Sequence, residues 1–360
     1  MLRLLHAADF HLDSPFSGLT AAQSAQRRRE LRQLPARLAE LARREGVDLV
    51  LLPGDLFDGE RVYPETIDAL AAALSDMAVP VFIAPGNHDC CGPRSPYLTA
   101  KWPENIHIFT SEALTSVELP ALNCVVHGCA FTAPHRESDP LAGFSAPADG
   151  RLHLLCLHGE VGQSGTYAPI APQSLERSGA AYAALGHIHA CSGLMFAGNT
   201  PWAYSGCPEG RGFDECGEKG ALLVTLGEEG GPSARFVPTC LRQYRIETLT
   251  VPEAAPETAL STENSPDLVR LLLRGERARP LDLAGLQAQW ADRFFYLELR
   301  DETTLPQDLW VRAEEDSLTG LFLREMRARL ERADEAGRPR LLLAARFGLA
   351  ALERGEDPRP

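Results

Sequence analysis

Five short clusters of carboxylate, carboxamide and imidazole side chains stand in order along the chain. They are Asp9-Phe-His11, Gly54-Asp55-Leu-Phe-Asp58, Gly86-Asn87-His88-Asp89, His158-Gly159 and Gly186-His187-Ile-His189. All 10 histidines precede residue 190, so the chemistry is concentrated in one part of the chain. Oxygen and imidazole donors without thiolate suit manganese, iron or magnesium better than a structural zinc site. A carboxylate has two oxygens and can bridge two cations; a pair about 4 Å apart can polarise a phosphate and activate a bridging water for in-line attack. The i, i+2 spacing of Asp9/His11 and His187/His189 would aim both side chains the same way from an extended backbone. Singly, each cluster has an ordinary explanation. Gly-Asp suits a turn, Asp-x-His arises by chance, and a strand-end histidine is commonly a hydrogen-bonded core residue. The signal lies in five clusters, each placed directly after an apolar run.

Those apolar runs are the elements that must position the clusters. Residues 2–8, 47–53 and 79–85 read as buried strands. Between the first two, 27–44 carries Leu31, Leu34, Leu38 and Leu41 at helical spacing. Between the second and third, 64–77 reads as a helix with proline at its start. The beginning is therefore β-α-β-α-β. Further strands are predicted at 106–109, 124–131, 153–158, 183–186, 202–204 and 221–226, close enough together to indicate two sheets. In open α/β sheets the carboxyl ends of strands converge on one crevice, where sites are built. After residue 240 the character changes. Residues 252–266 have the composition of a linker, and a strand (268–273), a helix (281–293) and a strand (294–299) suffice for a small α+β module. From 317 onward Leu318, Leu321, Phe322, Met326 and Leu330, then 341–352, follow a helical pattern. The domains are thus 1–240, 241–310 as a cap, and 311–360 as a C-terminal helical segment.

The chain has 360 residues and a formal net charge of −14. Such acidity argues against a general polyanion binder, since DNA affinity rests largely on Lys and Arg neutralising phosphates. Lys101 and Lys219 are the only lysines, so the positive charge is almost all arginine, whose planar fork suits bidentate phosphate contacts. No run of about 18 apolar residues suggests a membrane span, and charged Asp9 arrives too early for a signal peptide. The 9 cysteines form no Cys-x-x-Cys pair and read as reduced thiols of a cytoplasmic protein. Cys90-Cys91 reads as buried small apolar side chains more readily than as a redox pair.

The ordered clusters resemble the calcineurin-like metallophosphoesterase superfamily. The opening His6-Ala-Ala-Asp9-Phe-His11-Leu-Asp13-Ser-Pro-Phe16 and the segment Tyr204-Ser-Gly-Cys-Pro-Glu-Gly-Arg211-Gly-Phe-Asp-Glu-Cys-Gly-Glu-Lys219-Gly220 resemble its DNA-repair exonuclease branch, SbcD-like and YhaO-like. The resemblance covers about residues 1–240. It implies an α/β fold, a two-sheet α/β/β/α metallophosphoesterase sandwich with a small α+β cap and a C-terminal helical tail. It implies that Asp9, His11 and His189 hold one divalent ion, most simply Mn2+, with Fe2+ or Mg2+ as alternatives. Asn87, His158 and His187 would hold a second, and Asp55 would bridge the two. His88 would stand over the scissile phosphate and help protonate the leaving oxygen, with Asp58 orienting it.

Arg27 and Arg28, placed at the start of the first helix, and Arg211 and Lys219 in the glycine-rich segment are candidate contacts to substrate. A solvated helix start and a plain turn are the structural alternatives. Tyr97, Leu98 and Trp102 are either core or part of a homodimer face. The C-terminal helices either dock an SbcC-like coiled-coil ATPase or pack on their own domain. The activity implied is a dimetal-dependent DNA exonuclease or endonuclease of DNA repair. The rival readings are a phosphodiesterase or phosphatase of nucleotides or other small phosphoesters, and a non-catalytic adaptor for a DNA-bound ATPase.

Overall fold

Successive residues of the central strands face opposite apolar layers, and this alternation builds the sandwich. The computed structural model describes residues 1–354, apart from 60, 163, 228–230, 253–254, 259–263, 278–280, 305–308 and 335–336. It divides into two compact units, Met1–Gln243 and Tyr244–Pro360.

In the first unit the elements run β1 (Leu2–His6), α1 (Ala21–Arg32), α2 (Leu34–Glu45), β2 (Leu49–Leu52), α3 (Pro64–Asp76), β3 (Val81–Ile83), α4 (Pro96–Thr99), β4 (Ile106–Ile108), β5 (Thr115–Leu119), β6 (Cys124–Gly128), β7 (Leu152–His158), α5 (Pro172–Ser178), β8 (Tyr182–Gly186), β9 (Met195–Ala197), β10 (Thr200–Tyr204), β11 (Gly220–Leu226) and β12 (Ser233–Pro238). They form two 6-stranded sheets, β12-β11-β1-β2-β3-β4 and β5-β6-β7-β8-β10-β9. Leu4, Leu49, Leu51 and Phe82 from the first sheet and Val126, Leu154, Cys156 and Ala184 from the second share the layer between them. Leu5, Val50, Leu52, Val81 and Ile83 point the other way, onto Leu31, Leu34, Leu38 and Leu74 of the helices. Leu155, Leu157, Ala183 and Leu185 pack with Leu175 of α5 on the outer face of the second sheet. This is the expected α/β/β/α layering.

Two local expectations change. The helix predicted over 27–44 is two helices meeting at Gln33. Pro35 has no amide hydrogen and disfavours a helical residue before it, so a continuous helix is interrupted there. The first of the two begins at Ala21, capped by reciprocal Thr20–Gln23 hydrogen bonds. Arg27, Arg28 and Arg29 therefore lie within α1 rather than at its start. Strands β5, β9 and β12 were not predicted. Each sits at a sheet edge, pairs on one side only and keeps part of its surface wet, so its sequence lacks a continuous apolar run.

The second unit holds β13 (Tyr244–Thr250), β14 (Ser265–Arg274), α6 (Leu283–Trp290), β15 (Phe294–Asp301), α7 (Leu318–Glu331) and α8 (Arg338–Arg354). The three strands form a parallel sheet that buries Val269, Leu271, Leu273 and Leu297 with Trp290 of α6. A separate apolar cluster, including Leu323, Met326, Ala345 and Leu349, joins α7 to α8. Of the linker predicted at 252–266, residues 253–254 and 259–263 lie outside the described residues, while Pro256–Thr258 forms a single 3-10 turn.

Candidate metal centre

The loops after β1, β2 and β3 and the carboxyl ends of β7 and β8 carry the five clusters, and several of their backbones are unusual. Asp9, His11, Asp55 and His187 all adopt positive φ, at 56°, 46°, 51° and 104°. Such conformations cost energy in residues with a side chain and persist only where surrounding structure enforces them. Here the enforcement is visible. Asp9 N donates to Gly54 O (3.0 Å), His11 N to Asp55 O (2.9 Å) and Leu12 N to Leu56 O (2.9 Å), zipping the first loop to the second. Side chains 9 and 11 thus converge through left-handed turns, not through the extended backbone the spacing suggested. The buried Asp89 ties the second loop to the third: Oδ2 accepts from Leu56 N (2.7 Å), Phe57 N (3.2 Å) and Tyr97 Oη (2.5 Å), and Oδ1 accepts from Gly86 N (2.7 Å). At Gly86 a β-carbon would lie 2.2 Å from Asp55 Oδ1, so only glycine lets the third loop approach so closely.

The side chains so placed turn acceptor atoms toward one another. His11 Nδ1 lies 3.0 Å from Asp58 Oδ1, and His189 Nδ1 lies 2.7 Å from Glu215 Oε1. Each Nδ1–H therefore donates to a carboxylate, which leaves the two Nε2 atoms as bare lone pairs only 3.3 Å apart. On the other side His158 Nδ1 donates to Pro53 O (2.9 Å), so its Nε2 lone pair faces Asn87 Oδ1 at 2.9 Å and Asp55 Oδ2 at 3.5 Å. His187 Nδ1 stands 3.2 Å from the same Asn87 oxygen. Asp55 Oδ2 also lies 3.6 Å from His11 Nε2, placing that carboxylate between the two groups. Asp9, His11 and His189 form one cluster of convergent donors, and Asp9, Asp55 and His158 another. Lone pairs directed at lone pairs repel unless a cation lies between them, so this donor set fits divalent metal.

The electrostatics agree. Burial, then the neighbouring Asp55, pushes the Asp9 carboxyl well above its ordinary pKa. Burial lowers His11 and His158 to about 4 and His187 to about 3, so these imidazoles are neutral and carry available lone pairs at physiological pH. Burial opposes the charge of Glu215, but hydrogen bonds from His189 and Arg211 outweigh it and keep its pKa well below the ordinary glutamate value.

Residues 2–191 match the calcineurin-like phosphoesterase family. The chain belongs to that family. It is similar to the uncharacterized metallophosphoesterase YhaO of Bacillus subtilis, with 31% identity covering 84% of this chain and 82% of YhaO. It is also similar to the DNA double-strand break repair protein Mre11 of Aeropyrum pernix, at 29% identity over 69% of this chain and 63% of that protein. For Mre11 of Saccharolobus solfataricus the identity is 28%, covering 86% and 84%.

Within this calcineurin-like phosphoesterase domain the other sequence-selected residues have distinct placements. His88 is exposed, its ring 4.7 Å from that of His11. The sequence reading set Asp58 against His88; the structure hydrogen-bonds Asp58 to His11 and to Arg211 Nη1 (3.2 Å) and brings the polar atoms of His11, Asp58 and His88 within 4.8 Å of one another. Arg27 is fully buried and donates to Glu30 (2.8 Å), Glu209 (2.9 Å) and Gly210 O (2.9 Å), so it does not present its guanidinium to solvent. Arg28 is half-buried and donates to Pro15 O. Lys219 donates to His189 O (3.3 Å) and is largely buried. Tyr97 is core, whereas Leu98 is exposed. Sequence reasoning assigned no role to Asp89, although it closes the third cluster, nor to Glu215, which stands in the glycine-rich segment already singled out. A buried carboxylate behind a clustered histidine is found only when the chain is folded. No helix among the described residues is long and apolar enough to cross a membrane.

Proposed function

We propose that this phosphoesterase is a dimetal-dependent DNA nuclease that hydrolyses phosphodiester bonds in DNA repair. The observation that carries the reading is the inward convergence of lone pairs from His11, His189, His158 and Asn87 around Asp9 and Asp55. The names of the two archaeal relatives, DNA double-strand break repair proteins, support DNA as substrate. Asp9, His11 and His189 would hold one ion and Asn87, His158 and His187 the other, with Asp55 placed between the two groups. When bound, two divalent cations, most simply Mn2+, would supply Lewis acidity toward a phosphate and would lower the pKa of an attacking water. Asp58 and Glu215 fix the tautomers of His11 and His189. His88, exposed beside this cluster, delivers a proton to the departing sugar oxygen. The same reading takes residues 241–310 as a cap that positions DNA, residues 311–360 as the docking segment for a coiled-coil ATPase, the chain as a homodimer, and its thiol cysteines as suited to the cytoplasm.

The test is hydrolysis of defined linear and hairpin DNA by the purified chain with Mn2+, beside a panel of small phosphoesters. Manganese-dependent cleavage of DNA, lost in Asn87→Ala and sharply reduced in His88→Ala, is expected; unchanged cleavage in both variants overturns the mechanism. A second reading, hydrolysis of nucleotides or other small phosphoesters, is favoured by the −14 charge and by the internal engagement of Arg27 and Arg211. Turnover of the panel with DNA left intact would establish it.

A further inference from the structure

His11 and His189 are each held from behind by a carboxylate, and a single side chain joins those two carboxylates. Arg211 Nη1 donates to Asp58 Oδ1 at 3.2 Å, and Nη2 donates to Glu215 Oε1 at 2.7 Å. Its backbone N donates to Glu215 Oε2 at 2.7 Å. The result is an unbroken chain, His11 Nδ1–Asp58–Arg211–Glu215–His189 Nδ1, assembled from four separate loops. His189 Nδ1–H donates to Glu215 Oε1 at 2.7 Å, so Arg211 Nη2, itself a donor 3.1 Å from that nitrogen, acts on the carboxylate and not on the ring. The preceding Gly210 carbonyl accepts from Arg27 Nη2 at 2.9 Å, which anchors the segment to α1.

We propose that Arg211 is a positioning residue for one metal site: its guanidinium clamps Asp58 and Glu215 so that the Nε2 lone pairs of His11 and His189 address a single divalent cation beside Asp9. This rests on the dimetal reading above and assigns Arg211 to the metal instead of to a DNA phosphate. A guanidinium offers two donor edges set at a fixed angle and meets both carboxylates at once. A lysine ammonium at this position carries the charge without that geometry. Between them, one arginine cation offsets much of the repulsion between two carboxylates that lie close to the acidic Asp9 and Asp55.

Calorimetric titration of the full-length, metal-free chain with Mn2+ tests the assignment. Wild type is expected to show two binding steps. In Arg211→Ala and in Glu215→Gln, one step weakens by about 10- to 100-fold, the range typical of lost support behind a ligand histidine. That step is the one abolished by His189→Ala, and the other is unchanged; Arg211→Lys falls between. Glu215→Gln preserves shape, so it keeps the test available where Arg211→Ala does not fold, as judged by circular dichroism. Wild-type affinity at both steps in Arg211→Ala and Glu215→Gln, or equal weakening of both steps, overturns the positioning role. Two unaltered metal steps with a raised KM for DNA would return Arg211 to substrate contact. A wild-type chain that binds no Mn2+ overturns the dimetal reading itself, and this inference with it.

Discussion

Three adjacent arginines of identical type meet three different environments. Arg27 is enclosed with Glu30 and Glu209, Arg28 lies half-buried against a carbonyl, and Arg29 is exposed. Nothing in the tripeptide distinguishes them. The helical phase of α1 does, by turning Arg27 inward onto the segment that leads to Arg211. Arg27→Ala takes one cation from the buried Glu209 but leaves it Arg37 at 2.9 Å, and leaves Glu30 its pair with Arg242. The first unit is therefore expected to lose stability, but less than the cost of a fully stranded buried charge, about 3–5 kcal/mol. Urea unfolding checks this; unaltered stability with weakened DNA binding would show instead that Arg27 acts on substrate. The metal-site residues show the same division. Asp9, His11, Asp55, Asn87, His158, His187 and His189 were selected as candidate ligands by type and spacing, and the fold brings them together at the ends of the strands. Asp58's contact with His11 and the role of Glu215 were not legible in the sequence, because hydrogen-bond partners 26 and 47 residues apart leave no periodic trace.

Elements were legible where they are buried on both faces. The central strands and α3 lie close to their predicted ranges, since a continuous apolar run or an amphipathic stripe is required there. The edge strands β5, β9 and β12 were obscured by solvent exposure, and the division of α1 from α2 at Pro35 was hidden within a run of helical spacing. The two sheets are joined by more than apolar contact. His6 of β1 is fully buried, with Nδ1 2.9 Å from Tyr182 Oη and Nε2 donating to Leu185 O at 3.1 Å, both in β8. Burial lowers its pKa from 6.5 to about 3. The unfolded chain then binds the proton more readily than the folded one. Stability contributed by neutral His6 is therefore present above the unfolded value and lost as pH falls from about 6.5 toward about 3. Measured by urea unfolding in the presence of chelator, the loss between about pH 7 and about pH 5 should be smaller in His6→Gln than in wild type. An equal loss in both would remove His6 from the account.

For the whole molecule the governing quantity is charge. A chain of −14 has little general attraction for phosphate, and Arg27 and Arg211, two of its candidate contacts, are engaged internally. Two divalent cations would add positive charge beside Asp9 and Asp55, where buried acid is concentrated. DNA binding by the full chain is accordingly expected to be weak in chelator, to strengthen with Mn2+, and to decline steeply as salt rises. Fluorescence anisotropy with a labelled duplex is the measurement. Tight binding by the metal-free chain at physiological salt would contradict this account of the charge.

By itself the sequence determined which chemistry is available: five clusters of oxygen and imidazole donors at strand ends, on a two-sheet α/β frame. Those features are local, set by residue type and by the period of apolar residues, and a linear reading recovers them. Only the tertiary structure decided how the donors face one another, which arginines reach solvent and which carboxylate holds which histidine. Those outcomes depend on loops held in strained left-handed turns and on contacts between segments far apart in the chain. Both exist only once the sheets and helices have packed.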